Sequence, residues 1–112
     1  MSRATKRQNV TAFLYDKRGR LLAVGRNSYT KTHPLQARMA AQTGNAGRIY
    51  LHAEIAALVR CEDWGKIDTL EVHRYNVHGQ PLLAKPCPVC QRAIELAGIK
   101  KVVYTIGARD EQ

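Results

Sequence analysis

Four side chains in two short clusters share a chemistry. His52 and Glu54 are separated only by Ala53, and Cys87 and Cys90 stand three apart behind Pro86. One imidazole and two thiolates form the mixed nitrogen and sulfur donor set that zinc prefers, and three protein donors leave a fourth position open to water. That open position distinguishes a catalytic zinc from a structural one. Zinc lowers the pKa of a water in such a position from about 15.7 towards about 7. A carboxylate close by that is not itself a ligand, here Glu54, can then move the proton.

Two other uses of the cysteines compete. A redox Cys-x-x-Cys normally follows a first strand near the N-terminus, whereas this pair comes late in the chain and has His-x-Glu in company. Cys61 could complete a closed Cys₃His site. It lies nine residues beyond His52 on one predicted helix, which is about 13 Å along the axis. Zinc–ligand bonds are only about 2.0 to 2.3 Å long. Cys61 therefore reads as a buried apolar residue.

The elements that must position these groups follow from pattern and punctuation. VTAFLYD (10–16) and RLLAVGR (20–26) flank Lys17-Arg18-Gly19 and read as a hairpin. Thr32 or His33 can cap a short helix with Pro34 in its first turn and Gly44 at its end. Asn45-Ala46-Gly47 reads as a loop. HAEIAALVRC (52–61) has strong helix formers and an apolar face through Ile55, Leu58 and Val59. IDTLEVHRY (67–75) reads as a strand. PVCQRAIELA (88–97) reads as a helix with Pro88 in its first turn and Gly98 just past its end. Thiols three apart at a helix start point the same way and lie near the positive end of the dipole. VVYTI, nearly all apolar, reads as a buried strand parallel to the one before the helix. The tail ARDEQ is polar and expected to fray.

With 112 residues the chain fits one compact domain, 1–112. No apolar run approaches the roughly 20 residues of a membrane span. The N-terminus MSRATKRQNV lacks the apolar stretch of a signal peptide. These features, with an odd cysteine count, give a cytoplasmic expectation and no membrane partner. The net charge of +9 is lopsided. Residues 1–50 carry ten Lys/Arg against Asp16 alone, and residues 51–112 carry eight of each sign. Such a field attracts phosphate, on a nucleotide or along a strand. Lys31, Arg38 and Arg48, in the segment leading to His52, are the candidate contacts.

The paired motifs His-x-Glu and Pro-Cys-x-x-Cys, in this order, resemble the signature of the cytidine/deoxycytidylate deaminase superfamily of zinc-dependent nucleobase deaminases. The resemblance covers roughly residues 10 to 105. It implies an α/β fold with αβα layers around a small mixed sheet of about four strands, in a minimal version. It also implies zinc (Zn2+) on His52, Cys87 and Cys90, and Glu54 as the catalytic proton shuttle. Asn27, Ala53, Pro86 and His33 are the expected substrate contacts, with Asn27 on the sugar. Tyr29 and Tyr50 flank the loop and could stack on a base.

Free-nucleoside members carry Asn-x-Glu where this chain reads Asn27-Ser28-Tyr29, which argues against a free nucleoside. The expected activity is hydrolytic conversion of cytosine to uracil in a phosphate-bearing pyrimidine nucleotide such as dCMP. The alternative is cytosine or adenine in single-stranded DNA or RNA, and a catalytically silent zinc-holding nucleic-acid module is a third reading. Family members have further helices beside the sheet. Either the segment 34–42 covers the face left open or a second copy does, giving a homo-oligomer.

Overall fold

The computed structural model describes residues 9–44 and 50–107. The loop Asn45-Ala46-Gly47, Arg48 and the tail 108–112 lie outside the described residues. Two strands, β1 (Asn9–Tyr15) and β2 (Leu21–Arg26), are followed by helices α1 (Pro34–Gln42) and α2 (Ala53–Arg60) and a 3₁₀ turn, Trp64–Lys66. Strand β3 (Thr69–Tyr75), helix α3 (Pro88–Ala97) and strand β4 (Lys101–Tyr104) complete the order. The sheet runs β2-β1-β3-β4. The first two pairings are antiparallel and β3–β4 is parallel, joined through α3 as expected.

Strict alternation places Ala12 and Leu14 of β1, Ala23 of β2, and Leu70 and Val72 of β3 in one core with Met39 of α1, Ile55 and Leu58 of α2, and Val89 and Ile94 of α3. The register sets Ala12 opposite Val72 and Leu14 opposite Leu70, so the strands present one continuous apolar face. Gly25 on β2 brings that face close to α2. A Cβ there would collide with the backbone nitrogen of Ala57 and the carbonyl of Ala53. The absent side chain thus sets how near the helix bearing His52 and Glu54 can lie to the sheet.

Two expectations are corrected. The apolar run VVYTI is not buried: β4 is an edge strand, and Val103 and Ile106 are 42% and 45% exposed. Only Val102 and Tyr104 pack on the core, because among the described residues the helices cover one face of the sheet. Helix α1 does not shield the opposite face either. Its buried residues Gln36, Met39 and Ala40 turn towards α3 and α2, on the same side as the other helices. Among the described residues, no helix is long and apolar enough to cross a membrane.

Candidate active site

His52 is the N-cap of α2 and Cys87 the N-cap of α3; Cys90 lies in the first turn of α3. An N-cap has extended backbone, so its side chain projects beyond the helix end instead of along its flank. The His52 side chain makes no capping bond to its own helix. His52 Nδ1 lies 3.2 Å from Cys90 Sγ and 3.5 Å from Cys87 Sγ. The three donor atoms all fall within 4.8 Å of one another. A tetrahedral ion with bonds of about 2.0 to 2.3 Å needs its ligands about 3.5 Å apart. The imidazole–thiol separations match, so the cluster suits Zn2+.

The cluster's electrostatics suit a cation. Cys87 is lowered to about 3, first by a hydrogen bond from the Cys90 thiol and then by His52, against the opposing effect of burial. Cys90 is pushed well up because it donates that bond and is itself buried. The pair therefore holds one thiolate and one proton, and a metal would displace the proton. Two helix N-termini add their positive ends. Cys61 caps the far end of α2, its thiol 3.6 Å from the Asp63 carbonyl, and does not belong to the cluster.

Glu54, in the first turn of α2, is 6% exposed. Burial raises its carboxyl above the usual carboxylate range, and it is hydrogen-bonded to the Cys90 thiol. It touches a ligand without being one. A carboxyl whose burial favours the protonated form can both accept and donate a proton.

The groups open onto a cavity of about 550 Å³ whose wall includes Asn27, Tyr29, Tyr50, His52, Ala53, Glu54, Arg74, Lys85 and Cys87. That volume lies in the range of small-ligand sites. Asn27 sits on the rim, where its Oδ1 accepts from Val10 N (3.1 Å). Tyr29 and Tyr50 are 44% and 51% exposed, on segments joined by Ser28 N to Leu51 O and by Leu51 N to Lys31 O, both 2.9 Å.

The remaining expected contacts lie apart from this wall. Pro86 is buried behind Cys87, and its carbonyl accepts from Gln91 Nε2 (3.1 Å). His33 caps α1, its Nδ1 accepting from Leu35 N (3.0 Å). Neither residue lines the cavity, nor do Lys31 and Arg38.

Sequence reasoning missed three residues. Gln36 of α1, fully buried, accepts a hydrogen bond from the His52 backbone N–H (3.0 Å) through its Oε1. It does from another helix what the third-position Glu or Gln of a capping box does locally. Its signal was a polar residue on the apolar face of 34–42. Arg74 and Lys85 are the cations on the cavity wall. Arg74 is anchored by Nη1 donating to Leu83 O (3.2 Å). Its even position on β3 puts it on the same face as Leu70 and Val72, a clue available once the strand was assigned. Lys85 precedes Pro86-Cys87 and carried no signal of its own.

Set against known families, residues 1–106 match the family described as the cytidine and deoxycytidylate deaminase zinc-binding region. None of the curated proteins compared with the chain matches it.

Proposed function

The chain belongs to the cytidine and deoxycytidylate deaminase family, and from that premise we propose that it hydrolyses cytosine to uracil and ammonia in a phosphate-bearing pyrimidine nucleotide such as dCMP. The observation that carries the substrate reading is the presence of Arg74 and Lys85 on the same wall as Glu54 and the metal ligands. Two cations at the mouth of a cavity of this size suit a phosphate. The absence of an acid after Asn27 points the same way.

Bound zinc would act as the Lewis acid that acidifies the attacking water. Glu54 takes a proton from the attacking water and passes it to the ring nitrogen, then takes the proton of the newly added hydroxyl and delivers it to the departing amine as the C–N bond breaks. His52, Cys87 and Cys90 would hold the ion, and the N–H groups at the starts of α2 and α3, that of Ala53 among them, would stabilise developing negative charge. Asn27 holds the sugar at the rim. A second reading, a base in single-stranded nucleic acid, is favoured by the exposed rings of Tyr29 and Tyr50, on which a neighbouring base would stack.

The test compares ammonia release from dCMP, cytidine and a short cytosine-containing single strand, using zinc-loaded protein. The expected order places dCMP well ahead of cytidine. Glu54→Gln should keep its zinc and lose roughly 10² to 10⁴ in turnover. Arg74→Ala and Lys85→Ala should raise KM for dCMP about tenfold and leave cytidine unaffected. No ammonia from any substrate would end the enzyme reading. Equal turnover of dCMP and cytidine would end the phosphate reading alone.

A further inference from the structure

Among the described residues the helices occupy one face of the sheet, and the strand side chains that point away from them form a second surface. Register places Phe13 and Tyr15 of β1 on it, with His73 and Tyr75 on the neighbouring β3. None of these four is fully buried. Their rings form a connected strip. Phe13 and Tyr15 lie side by side with planes 18° apart and centroids at 6.3 Å. His73 meets Phe13 edge-on at 5.1 Å, and Tyr75 meets His73 at 6.3 Å.

Charge says what would cover this strip. The one carboxylate on this face of the four strands, Glu71, is already engaged, its Oε1 2.6 Å from His73 Nε2. Exposed cations flank the rings, Arg26 on one edge strand and Lys101 on the other. A second copy seated here would bring a charge of +9 against another +9. A polyanion that carries flat π surfaces would satisfy both features. We propose that this open sheet face is a stacking platform for single-stranded nucleic acid, with bases on Phe13 and Tyr15 and the backbone phosphates near Arg26 and Lys101. Aromatic side chains on a four-stranded sheet bind unpaired bases by the same physics.

The inference does not depend on deamination, and its test uses a strand that cannot be deaminated. A fluorescein-labelled oligothymidylate is titrated with the zinc-loaded full chain, and anisotropy is followed across salt concentrations. Wild type should bind with affinity falling steeply as salt rises. Phe13→Leu and Tyr15→Leu should each weaken binding roughly fivefold or more, while Phe13→Tyr, which keeps the ring, should bind like wild type. Arg26→Glu, on an exposed position that cannot unsettle the core, should weaken binding and flatten the salt dependence. Wild-type affinity in Phe13→Leu and Arg26→Glu would overturn the proposal, as would failure of wild type to bind. So would a wild-type dimer in light scattering that Phe13→Leu dissociates, which would assign the face to a second copy. Turnover of dCMP, measured in parallel, should be the same in Phe13→Leu as in wild type. Its absence in wild type would count against the deaminase reading only.

Discussion

His33 and His52 are the same residue at the same helical position, each the extended N-cap of a helix, α1 and α2 respectively. His33 turns Nδ1 onto its own helix and accepts from Leu35 N at 3.0 Å. His52 turns Nδ1 away from its helix, onto Cys90 and Cys87 at 3.2 and 3.5 Å. The difference lies in what stands opposite. The start of α3 faces His52 and presents two thiols, whereas His33 belongs to no metal-ligating cluster among the described residues. A helix whose cap side chain is committed elsewhere needs another source of support. For α2 that support includes the Gln36 oxygen on the His52 N–H and close packing against Gly25. The two histidines are also connected, since His33 caps the helix that carries Gln36.

Removing each partner in turn tests the comparison. The largest effect belongs to His52→Ala, which should abolish stoichiometric zinc binding and with it all turnover; metal analysis of purified protein checks this. Retention of zinc at full stoichiometry would mean that the ligand set is wrong.

Gly25→Ala should come next, costing about 1 to 3 kcal/mol or more by forcing β2 away from α2. Thermal melts would show it, with weaker metal binding as a consequence. Gln36→Leu removes the acceptor of the part-buried His52 N–H. It should cost about 1 to 3 kcal/mol of stability and weaken zinc binding about 10- to 100-fold. Gln36→Glu, which keeps the acceptor, should recover most of the affinity.

The smallest effect belongs to His33→Ala, about 1 kcal/mol for a lost cap, with zinc affinity and KM unchanged. Asn at that position should restore the stability. A raised KM for dCMP at unchanged melting temperature would instead restore His33 to the substrate site, as the sequence had suggested.

Much of the fold was legible because its boundaries are locally encoded. Pro88 and Gly98 bracket α3, and Gly98 indeed takes the left-handed conformation with φ 73°. Gly19 turns the β1–β2 hairpin with φ 78°, and Asp16 holds it by accepting from Arg18 N and Arg20 N, both at 2.9 Å. The burial of β4 was misjudged because an apolar run does not reveal whether a sheet is covered on both faces. Proximity along the chain likewise does not reveal which cations line the cavity. Lys31 and Arg38 are near His52 along the chain, but Arg74 and Lys85 share its cavity.

The sequence by itself determined the ligand types, their positions at two helix starts, and the exclusion of Cys61, since helical rise alone separates the ends of α2. It also determined the strand and helix order, because turn and cap residues act over a few positions. Tertiary structure alone decided which cations reach the cavity, and that Gln36 on another helix supports the start of α2 at His52. Those outcomes depend on groups far apart in the chain, brought together by the packing of α1, α2 and α3 on one face of the sheet.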